Sequence, residues 1–450
     1  MLVSHTINRQ WSGDAPAHAA AVTEMSLRPW SPEEPFIGGD VDSPYLNPWS
    51  LVWGLLARLT GWTAFDVLVV AGLANLVLIL VAFRLFTRAV GITDAASAVG
   101  LLSAVVLWGW SPWRWSGFIS LNSLGFGLPY PSATCFALML LLWTATLRYL
   151  QRRRWRQLVA IVLLMLLVVL SHPFTAVSTA IGVAAMLVAC ASSRRDAVVV
   201  SAAVVVGGVA SLAWPYYSVA DAAAGGGLYE SVHATFYEPD ALARIALLLV
   251  AAPALLARGR DNRRDPLVWL FIAGACAYLL GWALGVDSLG RVLPVLVLGP
   301  QLALANRLVE SASSRGWKVW RVAAAGALVL GVAATLPGLT RAVPAVLLDE
   351  QQEASLRFRQ PAGADVLAGV VAPGEVVLTP DTMLARALVA RGVRVVAPPY
   401  IQPLIADAAE RSAVVAAYPT MSERARREVV ERYGVDWVIL PSGEVVRPDA

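Results

Sequence analysis

Ten apolar stretches, each near the length a helix needs to cross a bilayer, fill most of the chain between residues 64 and 339. They fall at about 64–86, 95–112, 131–149, 157–172, 174–191, 197–215, 241–257, 267–285, 291–307 and 321–339. Nothing else in the sequence constrains the fold as strongly. A backbone inside hydrocarbon must satisfy its own N–H and C=O groups, and a helix does so within one segment. Composition agrees: 58% of the 450 residues are hydrophobic and 15% are charged, against about 25% charged in an ordinary soluble domain. The expected architecture is therefore a polytopic α-helical membrane protein of about ten spans. Cys135, Cys190 and Cys276 all lie within apolar stretches, which offers neither a disulfide framework nor a metal cluster.

The connections between spans alternate sharply in basic content. One set, which includes Arg84, Arg88, Arg152–Arg154, Arg194, Arg195 and Arg258–Arg264, holds 17 Arg and Lys residues; the other offers only Arg114, Arg244 and Arg291. The positive-inside rule makes the first set cytoplasmic, so the segment before residue 64 and the tail after Leu339 face outward. Lys318 is the only lysine, and no basic patch is interleaved with aromatics; no nucleic-acid partner is expected. An outward N-terminal loop needs something to carry it across, and Met1 to Gln10 holds no signal sequence. The expectation is that the chain begins one helix late, either because its start lies further upstream or because a first span has been lost.

Three regions follow: 1–63, a first extracytoplasmic loop with an interfacial helix over about Pro48–Trp62; 64–340, the transmembrane helical domain; and 341–450, a small extracytoplasmic α/β domain. The last rests on apolar runs at Glu375–Pro380, Val393–Val396 and Trp437–Leu440 alternating with helical patterns at 382–391, 404–417 and 422–433, the order of a parallel layer. It contains no catalytic triad, P-loop or zinc spacing.

The first loop carries Ser12-Gly13-Asp14-Ala15-Pro16-Ala17-His18. Asp14 fits a helix N-cap ahead of Pro16, and His18 lies one turn on along the same face. A carboxylate and an imidazole beside a bilayer surface also suit a general base with an orienting partner, for group transfer to a hydroxyl. Glu24 and Arg28 follow in the same segment, and Asp40 and Asp42 beside Gly38-Gly39 fit a turn. Further along, Trp113-Arg114-Trp115 and Tyr130 suit an outer interface, and His172 breaks a long apolar run at the outer ends of two spans. His233 lies in a polar aromatic loop behind Gly225-Gly226-Gly227, and Arg291 is an outward cation at the head of its helix, where it can either snorkel or meet a phosphate headgroup.

Several short motifs resemble the GT-C class of membrane glycosyltransferases, which use polyprenyl-phosphate sugars, and among them the mannosyl- and arabinosyltransferases. The resemblance lies in the overall layout, in Asp14 to Glu24, in Leu128-Pro129-Tyr130-Pro131, in Ser171-His172-Pro173, in Gly290-Arg291-Val292-Leu293-Pro294 and in Tyr433-Gly434-Val435-Asp436-Trp437-Val438. It implies that Asp14, with His18, is catalytic, and that Arg291, assisted by Arg114, binds the donor phosphate. Glu24, Arg28, Tyr130, His172 and His233 are then substrate-binding candidates. It further implies a plasma-membrane, cell-envelope location, a polyprenyl-phosphate sugar donor in membrane lipid, and a glycan, lipid or protein acceptor. No cofactor is expected, and a divalent metal stays open. Two departures stand out: the span that normally precedes the first loop is missing, and Ala15, not a second acidic residue, follows Asp14. Two other classes compete. A transporter or flippase of lipid-linked sugars would place charges at mid-membrane depth, whereas here they cluster at span ends; a non-catalytic GT-C-like scaffold would bind donor without turnover.

Overall fold

Among the described residues of the computed structural model, seven helices are long and apolar enough to cross a membrane: Ala64–Ala89, Pro131–Arg152, Pro173–Cys190, Arg194–Ala213, Pro266–Leu284, Asp287–Val309 and Gly316–Ala334. The described residues are 2–9, 11, 13–110, 112–310, 315–335, 367, 370–440 and 444–448. The expected end of the last span and the boundary at 340/341 lie outside them. Two further apolar helices, Asp94–Val106 and Trp155–Ser171, are shorter. The remaining stretch, at about 241–257, differs in kind, because Ala243–Ala251 winds as a 3-10 helix and only Ala252–Asp261 is α-helical. Pro253 stands at the junction, where a missing N–H is harmless in the first α-helical turn. The tighter winding lengthens the segment. At about 2.0 Å per 3-10 residue and 1.5 Å per α residue, it reaches roughly 33 Å, close to the thickness of a hydrocarbon core. The chain is thus a multi-pass helical membrane protein with a small C-terminal sheet region.

The chain divides into two units. The first comprises Met1–Gln10, Gly72–Ala213 and Tyr229–Leu348. Its core joins Phe83, Phe86, Phe136, Trp143, Leu293 and Leu298. Close packing at one crossing depends on Gly182 in the helix Pro173–Cys190, where an added Cβ would run into the indole of Trp143. Trp143 is fully buried and donates from Nε1 to Thr179 O at 3.0 Å, so it cannot swing aside without losing that bond. Gly182→Ala is expected to destabilise this unit by about 1–3 kcal/mol, as overpacked cores do; an unchanged melting temperature in detergent would refute it.

The second unit comprises Trp11–Ala71, Trp214–Leu228 and Asp349–Ala450. Its sheet has the order β2-β1-β3-β4, with β1 at Val376–Leu378, β2 at Arg394–Val395, β3 at Trp437–Ile439 and β4 at Val445–Val446. β1 pairs in parallel with both β2 and β3, as the alternation of strands and helices predicts. The antiparallel β4 is two residues long and was not expected. Helices Thr382–Val389, Ala408–Ala417 and Glu423–Tyr433 connect the strands. Ala17, Ala20 and Phe36 of the first loop share a core with Ala385, Val389 and Val395 of the tail, so the loop is built into this α/β layer. Gly38 and Gly39 adopt φ of 75° and 78°, the left-handed turn that leaves Asp40 and Asp42 at its rim; Asp42 accepts from Ser218 N at 2.7 Å. Pro48–Thr60 is a helix, as anticipated for the interface, and exposes Val52 and Leu59.

Candidate functional site

Arg291 ends up among aromatic rings because the residues around it run as a 3-10 turn, Asp287–Val292, leading into the helix Leu293–Val309. Its Nη1 donates to Ser116 O at 2.6 Å and its Nε to His233 Nε2 at 3.1 Å. The guanidinium carbon lies 5.0 Å from the Trp115 ring centroid and 4.8 Å from that of Phe174. Two aromatic faces stabilise a cation without neutralising it. On the backbone side, Ser178 Oγ donates to Arg291 O at 3.3 Å.

Arg291 lines a cleft of about 10 Å³ together with Ser116, His172, Phe174, Thr175 and Pro294, room for about one water molecule. Phe174 and Thr175 belong to the first turn of Pro173–Cys190, and Pro294 to that of Leu293–Val309. Two helix N-termini and a guanidinium therefore meet at one cleft, and each favours an anion. His172 is the N-cap of Pro173–Cys190: Thr175 N donates to its Nδ1 at 3.3 Å, and Thr175 Oγ1 lies 2.7 Å from the same atom. With Nδ1 accepting, the proton of the neutral ring sits on Nε2, which makes Nε2 a donor.

His233 is 1% exposed and closes the helix Glu230–His233. Burial, and then the charge of Arg291, lowers its pKa to about 4, against a smaller opposing effect of Glu230, so the ring is neutral near pH 7. Tyr130 is buried at the start of Pro131–Arg152, and its carbonyl accepts from Asn75 Nδ2 at 3.3 Å. Arg114 is exposed and does not line the cleft. Arg291, His172 and His233 thus form one cluster in the first unit, and Arg114 and Tyr130 lie apart from it.

Asp14, His18, Glu24 and Arg28 belong to the second unit. Asp14 stands at the N-cap position of the helix Ala15–Leu27, with the expected proline in the first turn, yet its side chain makes no capping hydrogen bond. It is exposed. Nearby, the Tyr400 hydroxyl reaches Gly13 O at 3.5 Å, and the Arg386 guanidinium lies 4.7 Å from the Tyr400 ring. Burial raises the Tyr400 pKa, and the charge of Asp14 adds to the rise. His18 is buried edge-on against Tyr45 and Trp49, with ring centroids 5.8 and 5.4 Å away, and that burial pushes its pKa down to about 3. Glu24 and Arg28 lie in an ion-pair cluster, Arg28 Nε donating to Glu24 Oε1 at 2.9 Å and Arg394 Nη2 to Glu24 Oε2 at 2.5 Å.

Ser116, Trp115 and Phe174 in the first unit, and Tyr400, Arg386 and Arg394 in the second, were not among the sequence candidates. Trp115 and Phe174 sit beside candidates in the chain, so adjacency offered a weak signal; contacts between residues 175 and 370 positions apart offered none. Among the described residues no three His, Cys, Asp or Glu side chains are grouped so as to hold a metal ion.

No protein-family model and no curated protein matches the chain. Its fold is shared with a crystal structure of ArnT from Cupriavidus metallidurans in the apo state, with a TM-score of 0.54, 13% identity, and coverage of 98% of this chain and 91% of that one. ArnT is a GT-C glycosyltransferase.

Proposed function

We propose that this chain is a membrane glycosyltransferase that moves a sugar from a polyprenyl-phosphate donor to an acceptor hydroxyl on the outer side of the plasma membrane. The observation that carries the reading is the Arg291 guanidinium, set beside two aromatic faces at a cleft where two helices begin. A cation and two helix N-termini favour an anionic group there, and the GT-C fold supports the class of reaction. The acceptor oxygen attacks the anomeric carbon, and the bond from that carbon to the phosphate oxygen breaks. The electron pair leaves with the polyprenyl phosphate, and Asp14 takes the hydroxyl proton, inverting the centre in a single displacement. Arg291, the helix N-termini and the Nε2–H of His172 stabilise the charge that builds on the phosphate. Outward orientation follows from the asymmetry in arginine between the two sets of loops.

The test is transfer from a polyprenyl-phosphate sugar in membranes containing wild type or Arg291→Ala. Loss of one preorganised cation is expected to lower kcat/KM on the order of 10²-fold. Undiminished transfer by the variant would overturn the assignment of Arg291.

A further inference from the structure

We propose that His233 is a positioning residue, a neutral acceptor that holds the Arg291 guanidinium in one orientation for the donor phosphate while leaving its charge intact. The inference rests on the reading of Arg291 given above. Arg291 Nε–H donates to His233 Nε2, so Nε2 is unprotonated and the ring hydrogen is on Nδ1. That nitrogen is buried and has no hydrogen-bond partner among the described residues. A buried, unsatisfied N–H costs about 1–3 kcal/mol, so an imidazole is a poor choice for mere filling here. Apolar neighbours fill the rest of the site: Phe174 at 4.8 Å, Trp115 at 5.8 Å and Phe236 at 6.0 Å between ring centroids.

The choice of acceptor matters for the chemistry. A carboxylate at position 233 would orient the guanidinium equally well, but it would form an ion pair and cancel the charge that attracts a phosphate. A neutral imidazole fixes rotation without that loss. With Ser116 O on Nη1 and the ring centroids of Trp115 and Phe174 5.0 and 4.8 Å from the guanidinium carbon, the Nε contact adds a further point to the frame that sets the guanidinium plane, and preorganisation of this kind lowers the cost of binding.

Among the described residues, Glu230 shares the helix of His233 and is engaged by Ser288 N at 2.9 Å, and Tyr229 stands just before that helix. Arg291 faces it from the 3-10 turn, and His172 packs edge-on against the Phe174 ring that His233 also touches. Protonation of Nε2 would turn two N–H groups and two positive charges toward each other. The folded pKa is lowered, so the contact is intact at neutral pH and lost as pH falls toward about 4.

The experiment measures the affinity of a polyprenyl monophosphate for the full-length protein in lipid nanodiscs, for wild type, His233→Ala, His233→Gln and Arg291→Ala, with melting temperatures in parallel. Gln places a neutral acceptor near the position of Nε2. His233→Ala is expected to weaken binding about tenfold, roughly one hydrogen bond to a charged group, and His233→Gln to restore it to within about twofold. Between about pH 7 and pH 4, wild type should lose more affinity than His233→Gln; the phosphate's own titration is common to both. If Arg291→Ala weakens binding but both His233 variants match wild type, positioning is wrong and the phosphate site stands. If His233→Gln is as weak as His233→Ala, the role is structural only and the proposal fails. If Arg291→Ala binds as wild type does, both fall together.

Discussion

Asp14→Asn is expected to lower sugar transfer by on the order of 10²–10⁴-fold, the range for loss of a positioned general base. The substitution removes one negative charge and keeps the shape, so its effect on the fold should be small. The Asp14 carboxylate makes no capping hydrogen bond, which removes the usual structural use of an aspartate at a helix start. Its interaction with the positive end of the helix Ala15–Leu27 is worth about 0.3–1 kcal/mol at an exposed site. Activity and stability should therefore separate. Initial rates with a polyprenyl-phosphate sugar in proteoliposomes, set beside melting temperatures, check this. Transfer at the wild-type rate would end the assignment of Asp14 as the base, while leaving the phosphate site open.

Arg394→Ala is expected to destabilise the second unit by about 3–5 kcal/mol, the cost of leaving a buried charge without its partner. Arg394 and Glu24 are 5% and 2% exposed in their side chains and lie 2.5 Å apart. Arg394 Nη1 also donates to Glu34 O at 2.9 Å, and Glu24 Oε1 accepts from Glu33 N at 2.9 Å. The cluster thus ties the first loop to strand β2. Arg28 pairs with both Glu24 and Glu33, so the double variant Glu24→Leu/Arg394→Leu removes one charge of each sign and leaves Arg28 with Glu33. It should be markedly more stable than Arg394→Ala, because a buried pair replaced by apolar groups is often neutral. Limited proteolysis of the first loop and the tail reads this unit locally; a double variant as fragile as the single one would show that the pair is not what holds them.

The same cluster sets an acid sensitivity. Burial tends to raise the Glu24 pKa, but the hydrogen bond from Arg28 and the charge of Arg394 outweigh it and the net shift is downward. A lowered carboxylate contributes stability above its unfolded pKa and loses it as pH falls through the folded value. Glu34 acts in the opposite sense, because burial raises its pKa despite hydrogen bonds from Ile37 and Phe36.

The membrane class, the positions of nine of the ten apolar stretches as helices, and the three parallel strands were all legible in the chain. Hydropathy and turn residues act over one to two dozen neighbouring positions, and local sequence contains that information in full. The start of Ala15–Leu27 was legible as well, but the use of Asp14 was not: with φ of −88° and ψ of 10° its side chain makes no capping hydrogen bond. The 3-10 winding of Ala243–Ala251 and the two-residue β4 were likewise invisible, since neither has a period long enough to read.

Glu24, Arg28 and His233 stood out in the sequence only as candidates for contact with substrate. Only tertiary structure decided that Glu24 meets Arg394 and that His233 meets Arg291. Sequence by itself determined which segments must leave water, because that preference belongs to each residue; which charge faces which belongs to pairs of residues far apart in the chain, and it is fixed only when the apolar surfaces between them have closed.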